Sequence, residues 1–592
     1  MKELVELKMC GYDLYVNEND IHYIYQGNDQ PDRISTGNLL AVIKKHKSLA
    51  IKLLTGTVQS PNQHKKMVAV YFEEIKQKDN SNTIFFVAWT DGVVTNTSTD
   101  LNDIEKILKD ESILKIFYDA AAVVYFLEAN GYKTKNYTDI LVMEQLITND
   151  ASSDSGLDLL IGKYLPLNVF EDIQILGFSQ YEMRAWLLKS VAQKAEAIYA
   201  LYGILAGKIE DGYLEEVLQR EIRVLPALIK LKNDGFLFDY SGWEIQLQRM
   251  REELCGLEKQ IQCELNALTM DIQSPADIKA ALLENGISVI STSEECLAVY
   301  EDQYPVIKKI CKYKKLHKQI QTFGEKLKAN IRKDGRIRSN WKLNGSNTGR
   351  MACTSPNLQG MPAKAKPYFH ADKGNKLVIA DYSQIELRVM ASLSKDKRLI
   401  ESFVKGDDLH KKTAAMILGK ATEEVSDDER KIAKTANFGL IYGMSAASLS
   451  RKVKVKYGLS MSLEEAIIFR NKYFRTYSGV LGFQDKMLKS DEIVTAGGRH
   501  WTNLEAGSIR KYNYPVQGTA AEGLKEALAI LLSRIKENWL LVNVVHDEIV
   551  LEVPEKEADS AAEVLEESMI EGMRRLIQDV PVIVDVKSSE HW

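Results

Sequence analysis

Cysteine and proline are both scarce in this chain, at 6 and 12 of 592 residues. The cysteines, Cys10, Cys255, Cys263, Cys296, Cys311 and Cys353, include no C-x-x-C spacing, so neither a zinc site nor a disulfide framework is expected. No run of ~18 apolar residues is present, so no membrane span or membrane partner is expected. The start, MKELVELKMCGYDLYV, carries acids inside its apolar run and no cleavage pattern, unlike a secretory signal. A cytoplasmic location is the expectation. Internal repeats and low-complexity tracts are also missing. So is any basic excess: 77 Lys and Arg stand against 82 Asp and Glu, a formal net charge of -5. Taken alone, that sum argues against a nucleic-acid binder.

What is present is an ordinary globular composition, 45% hydrophobic and 27% charged. At roughly 100–200 residues per domain, three to five domains are expected. Residues 1–60 mix β-like runs such as DIHYIYQ with AVIKKHKSLAIKLL, whose apolar spacing suits an amphipathic surface helix. This extension has no readable role. Over residues 61–204, strands (MVAVYFEEI, TIFFVAWTDG) alternate with helices (DLNDIEKILKD, AAAVVYFLEANG), which indicates an α/β domain. Two long helical segments follow, separated by Gly235 and FLFDYSG. Beyond about residue 335 strands and helices mix, and most of the chemistry lies there.

In KLVIADYSQIELRV (376–389) an apolar strand ends in Asp381 and turns into a helix. A rigid carboxylate at a strand end suits a hard divalent cation, and it equally suits a helix N-cap. In NWLLVNVVHDEIVLEVPE (538–555) two apolar runs flank His546, Asp547 and Glu548, a β-hairpin with two acids at its apex. If the two segments share a sheet, Asp381 and Asp547 can clamp two Mg²⁺ ions ~3.5–4 Å apart for phosphoryl transfer. Between them, in ERKIAKTANFGLIYGMS (429–445), Arg430, Lys434, Phe438 and Tyr442 recur every four residues. At ~100° per residue they share one helix face, with cations at one end and aromatics at the other. That face suits a triphosphate and a flat base; a basic exposed end and a packed apolar end is the plainer reading.

DYSQIELRV, R-x-x-x-K-x-x-x-F-G-x-x-Y-G and V-H-D-E, in this order, resemble the three polymerase motifs of family A DNA polymerases. The resemblance extends to TGRMACTSPNLQG (348–360), DLHKKTA (408–414), YFRTYSGV (473–480) and YPVQGTAAEG (514–523), and covers roughly residues 205–592. It implies a multidomain α+β and α/β protein: a right-hand polymerase with palm, fingers and thumb, preceded by an RNase H-like exonuclease-type domain. The implied divisions are 61–204 for that domain, 205–340 for thumb and connecting helices, 341–395 and 506–592 for palm, and 396–505 for fingers. The activity implied is template-directed addition of dNTPs to a primer–template DNA by a monomer, with two Mg²⁺ ions for which Mn²⁺ can substitute.

The resemblance also implies residue roles. Asp381, Asp547 and the carbonyl of Tyr382 hold metal. Lys434 grips phosphate and serves as general acid. Tyr382, Gln384, Glu386, His410, Arg430, Lys434, Phe438 and Tyr442 form the dNTP site, with Glu386 and Tyr442 excluding a 2′-hydroxyl. Phe438, where some relatives carry Tyr, implies discrimination against 3′-deoxy terminators. Arg350, Asn357, Gln359, Asn513, Gln517 and His546 contact the primer end and minor groove, where acceptors recur on every base pair. Lys308, Lys312 and Lys315 belong to KKICKYKKLHKQIQTFGEKLK (308–328), eight lysines against one acid. Within the resemblance this run is a thumb helix along the DNA backbone, which answers the charge objection locally.

The chain departs from the family pattern at Gly360, Lys364 and Glu522. In residues 61–204 the departure is larger. Tyr71 stands where the first exonuclease Asp belongs, leaving Glu73; Val123 stands at the second, with Asp119 four residues early; Ser190 and Lys194 replace the Tyr and Asp of the third motif. A two-metal site cannot form without those carboxylates, so an exonuclease-like fold without activity is expected. The rival readings are a single-subunit RNA polymerase, opposed by Glu386; an inactive DNA-binding accessory subunit, opposed by Asp381 and Asp547; and a nuclease, opposed by the losses at Tyr71, Val123 and Lys194.

Overall fold

The computed structural model describes residues 12–17, 20–25, 66–76, 83–149, 156–165, 180–297, 300–301, 303–502 and 504–592. The segment AVIKKHKSLAIKLL lies outside the described residues. Nearby, Tyr12–Asn17 (β1) and Asp20–Tyr25 (β2) pair as an antiparallel hairpin, as DIHYIYQ led us to expect. The chain divides into two compact units. The first runs to Leu218 without residues 149–153, and the second joins those to Gln219–Trp592.

The first unit is built on a five-stranded sheet of Lys66–Lys76 (β3), Thr83–Thr90 (β4), Thr95–Ser98 (β5), Ile113–Phe117 (β6) and Tyr137–Asp139 (β7), in the order β5-β4-β3-β6-β7. Its central strand pairs antiparallel with β4 and parallel with β6. Helices Ala120–Ala129 (α1) and Ile140–Thr148 (α2) follow β6 and β7, and the long helix Gln180–Asp211 (α3) lies on the sheet. Leu187, Val191 and Ala195 recur every four residues, so they form one stripe of α3 that buries Phe86 and Ala88 of β4. The alternating α/β pattern of the sequence is this sheet and its covering helices.

Helix Glu215–Asp234 (α4), which enters the second unit at Gln219, is separated from Tyr240–Glu264 (α5) by Gly235, at φ 62, and a two-residue strand. A side chain at Gly235 would meet Arg338 at 2.7 Å, so glycine is required twice over. Helix α5 packs on Pro305–Phe323 (α6), and the Trp243 indole donates to the Phe323 carbonyl at 2.8 Å. Val306, Ile307, Ile310, Tyr313 and Leu316 of α6 are buried, which leaves Lys308, Lys312 and Lys315 on its exposed side.

The centre of this unit is an antiparallel sheet of Asn375–Tyr382 (β8), Leu540–Val545 (β9), Glu548–Pro554 (β10) and Val584–Ser589 (β11), in the order β9-β10-β8-β11. Leu377, Val378, Leu551 and Val550 are fully buried, at ~1.5–3 kcal/mol of favourable burial for each such side chain. Helix Ala558–Arg574 (α12) packs on β8 and β11, and Arg510–Leu532 (α11) packs on α12. Ile385–Ser394 (α7) follows β8; Leu409–Leu418 (α8), Asp427–Leu440 (α9) and Ala446–Tyr457 (α10) form a helical layer. Helix α9 opens with a reciprocal cap, Ser426 accepting from the Glu429 amide at 3.3 Å while Glu429 accepts from the Ser426 amide at 2.8 Å. Among the described residues, no helix is long and apolar enough to cross a membrane.

Candidate active site

The strands supposed to share a sheet do so, side by side. Asp381, next to last in β8, lies opposite Glu548 on β10 and Asp585 on β11. Asp547 sits in the turn between β9 and β10, beside His546 at φ 56, and the Tyr382 amide donates to the Asp547 carbonyl at 3.2 Å. That bond ties the turn to the end of β8. The hairpin apex is His546 and Asp547; Glu548, expected at the apex, is already the first residue of β10, where the Trp592 indole donates to it at 2.8 Å. Asp585 was missed because β11 was not read from the sequence, although VPVIVDVKSS carries period-two alternation.

These acids crowd one sheet end. Partial burial, then the charges of Asp547, Glu548 and Asp585, push the Asp381 carboxyl up to about 7. Burial also raises Asp547, with Glu386 adding to the effect. Among the described residues, no group of three or more His, Cys, Asp or Glu side chains is arranged to hold a metal unaided.

Along α9, Arg430 donates from Nε to Asp408 at 2.8 Å, and Lys434 and Phe438 follow at one-turn intervals. Asp408 also caps α8, accepting from the His410 and Lys411 amides at 3.0 Å each. His410 is buried, its ring centroid 5.7 Å from Phe438, and the Asn437 amide lies 2.9 Å from its Nδ1. Burial lowers its pKa to about 4, so the ring is neutral, with Nδ1 accepting and Nε2 protonated.

Tyr442 departs from the expected helix face. Helix α9 ends at Leu440, and the Tyr442 and Met444 amides both donate back to the Gly439 carbonyl, at 3.1 and 3.0 Å. Gly443, at φ 76, completes the turn; a side chain there would collide with the Tyr512 hydroxyl. The turn brings the Tyr442 hydroxyl beside Glu386, Arg350 and Gln517, buried and without a hydrogen bond of good geometry. Burial and Glu386 hold that phenol far above its ordinary pKa.

Glu386, in the first turn of α7, is ion-paired with Arg350. Gln384 starts α7 at φ 54, with its Oε1 buried and unpartnered. Gln359 donates to the Val544 carbonyl of β9 at 3.0 Å. Arg350, Gln359 and His546 therefore line one small cavity. Asn357 is exposed and caps the Gly360 amide at 3.1 Å. Asn513 and Gln517 lie one turn apart on α11, the Asn513 Oδ1 buried without a partner. Lys308 and Lys315 are exposed, while Lys312 pairs with Glu253 at 2.5 Å.

A buried ionic network holds the far part of α11. Glu522 takes Arg220 at 3.2 Å and the Gly497 amide at 3.1 Å; Glu526 takes Arg220 at 2.8 Å and Arg575 at 2.9 Å. Glu221 of α4 takes Arg499 at 2.7 Å and Lys525 at 2.6 Å. The longer side chain of Glu522, a departure from the family pattern, is spent inside this network.

The sequence matches the profile of DNA polymerase family A over residues 242–592. DNA polymerase I of Aquifex aeolicus is 34% identical over 80% of this chain and 83% of its own length. DNA polymerase I of Pseudomonas aeruginosa is 31% identical over 76% of this chain and 53% of its own length, so this chain spans about half of that relative. Among solved structures, the POL domain of Pol1 from M. smegmatis, in complex with DNA primer-template and dNTP, shares the fold. Its TM-score is 0.77 at 23% identity, covering 89% of this chain and 95% of that one. The chain belongs to DNA polymerase family A, a class of DNA-directed DNA polymerases. Its multidomain α+β and α/β architecture is the one the motif resemblance implies.

Proposed function

We propose that this chain adds deoxynucleotides to the 3′ end of a primer on a DNA template, using two divalent ions and no proofreading. The observation that carries this is the meeting of Asp381 and Asp547 at one sheet end, with Glu386 close enough to Asp547 to raise its pKa. The complex of the M. smegmatis relative with DNA primer-template and dNTP supports the same substrates here. Residues 341–395 and 506–592 act as palm, 396–505 as fingers and 205–340 as thumb, in a cytoplasmic monomer.

The donor set suits Mg²⁺ or Mn²⁺: hard oxygens from Asp381, Asp547 and the Tyr382 carbonyl, at a point where acids outnumber the nearby cation Lys366. When bound, the ions supply charge stabilisation to the attacking and leaving oxygens. Arg430 and Lys434 hold the nucleotide's phosphates, with His410 behind them as a neutral donor through Nε2. Lys434 delivers a proton to the leaving pyrophosphate. Phe438 and Tyr442 bound the base-pair pocket, and Gln384 at the head of α7 belongs to the same dNTP site. Glu386, kept in place by Arg350, fills the space a 2′-hydroxyl needs; this favours dNTPs over the rNTPs of an RNA polymerase. Asn357, Gln359, Asn513, Gln517 and His546 test the shape of the terminal pair from the minor groove. Lys308, Lys312 and Lys315 follow the duplex backbone.

In the first unit, Lys194 donates to the Tyr71 hydroxyl at 3.2 Å and lies 3.6 Å from Glu73. An internal ammonium already neutralises Glu73, which leaves little to attract a divalent ion. We read residues 61–204 as an exonuclease-like domain without exonuclease activity. One experiment tests both claims: a labelled primer on a DNA template is offered dNTPs or rNTPs, then nucleotides are withheld. Extension with dNTPs, lost in Asp547→Ala, is expected, with no shortening afterwards. Failure to extend overturns the polymerase reading; shortening abolished by Glu73→Ala but retained in Asp381→Ala overturns the inactive-exonuclease reading.

A further inference from the structure

Helices α9 and α10 pack side by side and enclose a cleft of about 510 Å³, within the ~300–1,000 Å³ range of small-molecule sites. Lys434, Phe438 and Met444 line one wall, and Lys452, Val455 and Lys456 the other. The first wall belongs to the nucleotide site proposed above. The second belongs to a helix to which no role has been given.

The charges of this cleft are unbalanced. Helix α10 carries Arg451, Lys452, Lys454 and Lys456 and no acid. Lys452 and Lys456 are one turn apart on one face, a like-charge spacing that weakens a helix. Several cations nearby are paired: Arg430 with Asp408, Lys431 with Asp428, Lys420 with Glu429. By contrast, Lys434, Lys452 and Lys456 have no ion-pair or hydrogen-bond partner among the described residues. Three ammonium groups without a carboxylate partner, Lys456 lying 5.3 Å from the Tyr457 ring centroid, together with the apolar Phe438, Met444 and Val455, match a ligand with a polyanionic end and a flat apolar one.

We propose that Lys452 and Lys456 form a second phosphate-holding wall of the nucleotide cleft, gripping the pyrophosphate portion of an incoming dNTP and inorganic pyrophosphate before it leaves. This rests on the reading of Lys434 and Phe438 as nucleotide-site residues. Lys434, Lys452 and Lys456 are all exposed, so the three ammonium groups are open together to an arriving polyanion.

The test uses the full chain and inorganic pyrophosphate, titrated with and without Mg²⁺ in a binding assay that needs no turnover, alongside primer-extension kinetics. In the Lys452→Gln/Lys456→Gln double variant, the pyrophosphate Kd and the dNTP KM should each rise about fivefold, with a smaller change in kcat. The Lys452→Arg/Lys456→Arg variant keeps the charge and should restore both. An unchanged pyrophosphate Kd in the Gln variant overturns the proposal. So does a loss confined to templates with a long single-stranded overhang, which would assign these lysines to the template strand. Should the unmodified chain bind pyrophosphate through these lysines yet fail to extend a primer, the polymerase reading falls while the phosphate wall stands.

Discussion

Asp381 and Asp585 stand directly across from one another on adjacent antiparallel strands, and Glu548 faces Asp381 from the other side. With Asp547 in the adjoining turn, three neighbouring carboxylates bear on Asp381, and their repulsion of its charge opposes folding until a cation relieves it. Mg²⁺ should therefore raise the Tm of the chain. In metal-free buffer at pH 8, Asp381→Asn should itself raise Tm by about 2 °C, because one repelling charge is gone. The same variant should lose most of the Mg²⁺ response and about 10³-fold or more of primer extension. Differential scanning calorimetry with and without MgCl₂ checks the first two outcomes, and a gel assay the third.

The pairing of Arg350 with Glu386, beside the buried Tyr442 hydroxyl, bears on sugar selection. Glu386→Ala opens the space proposed to exclude a 2′-hydroxyl and should reduce the preference for dCTP over CTP by roughly 10²-fold. Tyr442→Phe removes only a hydroxyl that makes no good hydrogen bond, and should leave the preference within about threefold. Single-nucleotide incorporation rates measure both.

The exposed lysines of α6 set a salt dependence. If Lys308 and Lys315 each neutralise a DNA phosphate, the Lys308→Ala/Lys315→Ala variant should flatten the slope of log K against log salt by about 2. Fluorescence anisotropy on a primer–template between 50 and 300 mM salt, roughly the span over which such slopes are read, decides it. An unchanged slope would return these lysines to the solvated surface.

His410 makes stability depend on pH in a defined window. Its pKa falls to about 4 in the fold, against ~6.5 unfolded, so the unfolded chain takes up a proton that the folded chain refuses. Its full contribution is present above ~6.5 and is lost as pH falls toward 4, at up to about 1.4 kcal/mol per pH unit. The difference in denaturation midpoint between the chain and His410→Gln, followed from pH 7 to 4.5, should shrink toward acid.

Asp381 and Asp547 were legible in the sequence because each ends or follows a long apolar run, and a run of that kind has few places to go but the middle of a sheet. Arg430, Lys434 and Phe438 were legible because a four-residue spacing needs only a helix. Tyr442 obeyed the same spacing and left the face, since helix ends are decided by glycines and by tertiary neighbours such as Tyr512 that periodicity does not reveal. Asp585 and Glu548 were missed as partners of Asp381, because strand register is a relation between distant segments. The contacts of Arg220 with Glu522 and Glu526 were equally hidden: two helices far apart in sequence meet, and only their meeting makes the charges a network.

That network has a mechanical consequence. Removing one partner of a buried pair costs ~3–5 kcal/mol, so α11 cannot slide or turn without giving up several such bonds at once. Asn513 and Gln517 ride on the same helix, a few turns before the bolted part. A calliper measures only when one jaw is fixed to the frame. If Asn513 and Gln517 read the terminal pair as proposed, α11 is the fixed jaw, and errors in the width of a base pair must be taken up by whatever closes against it.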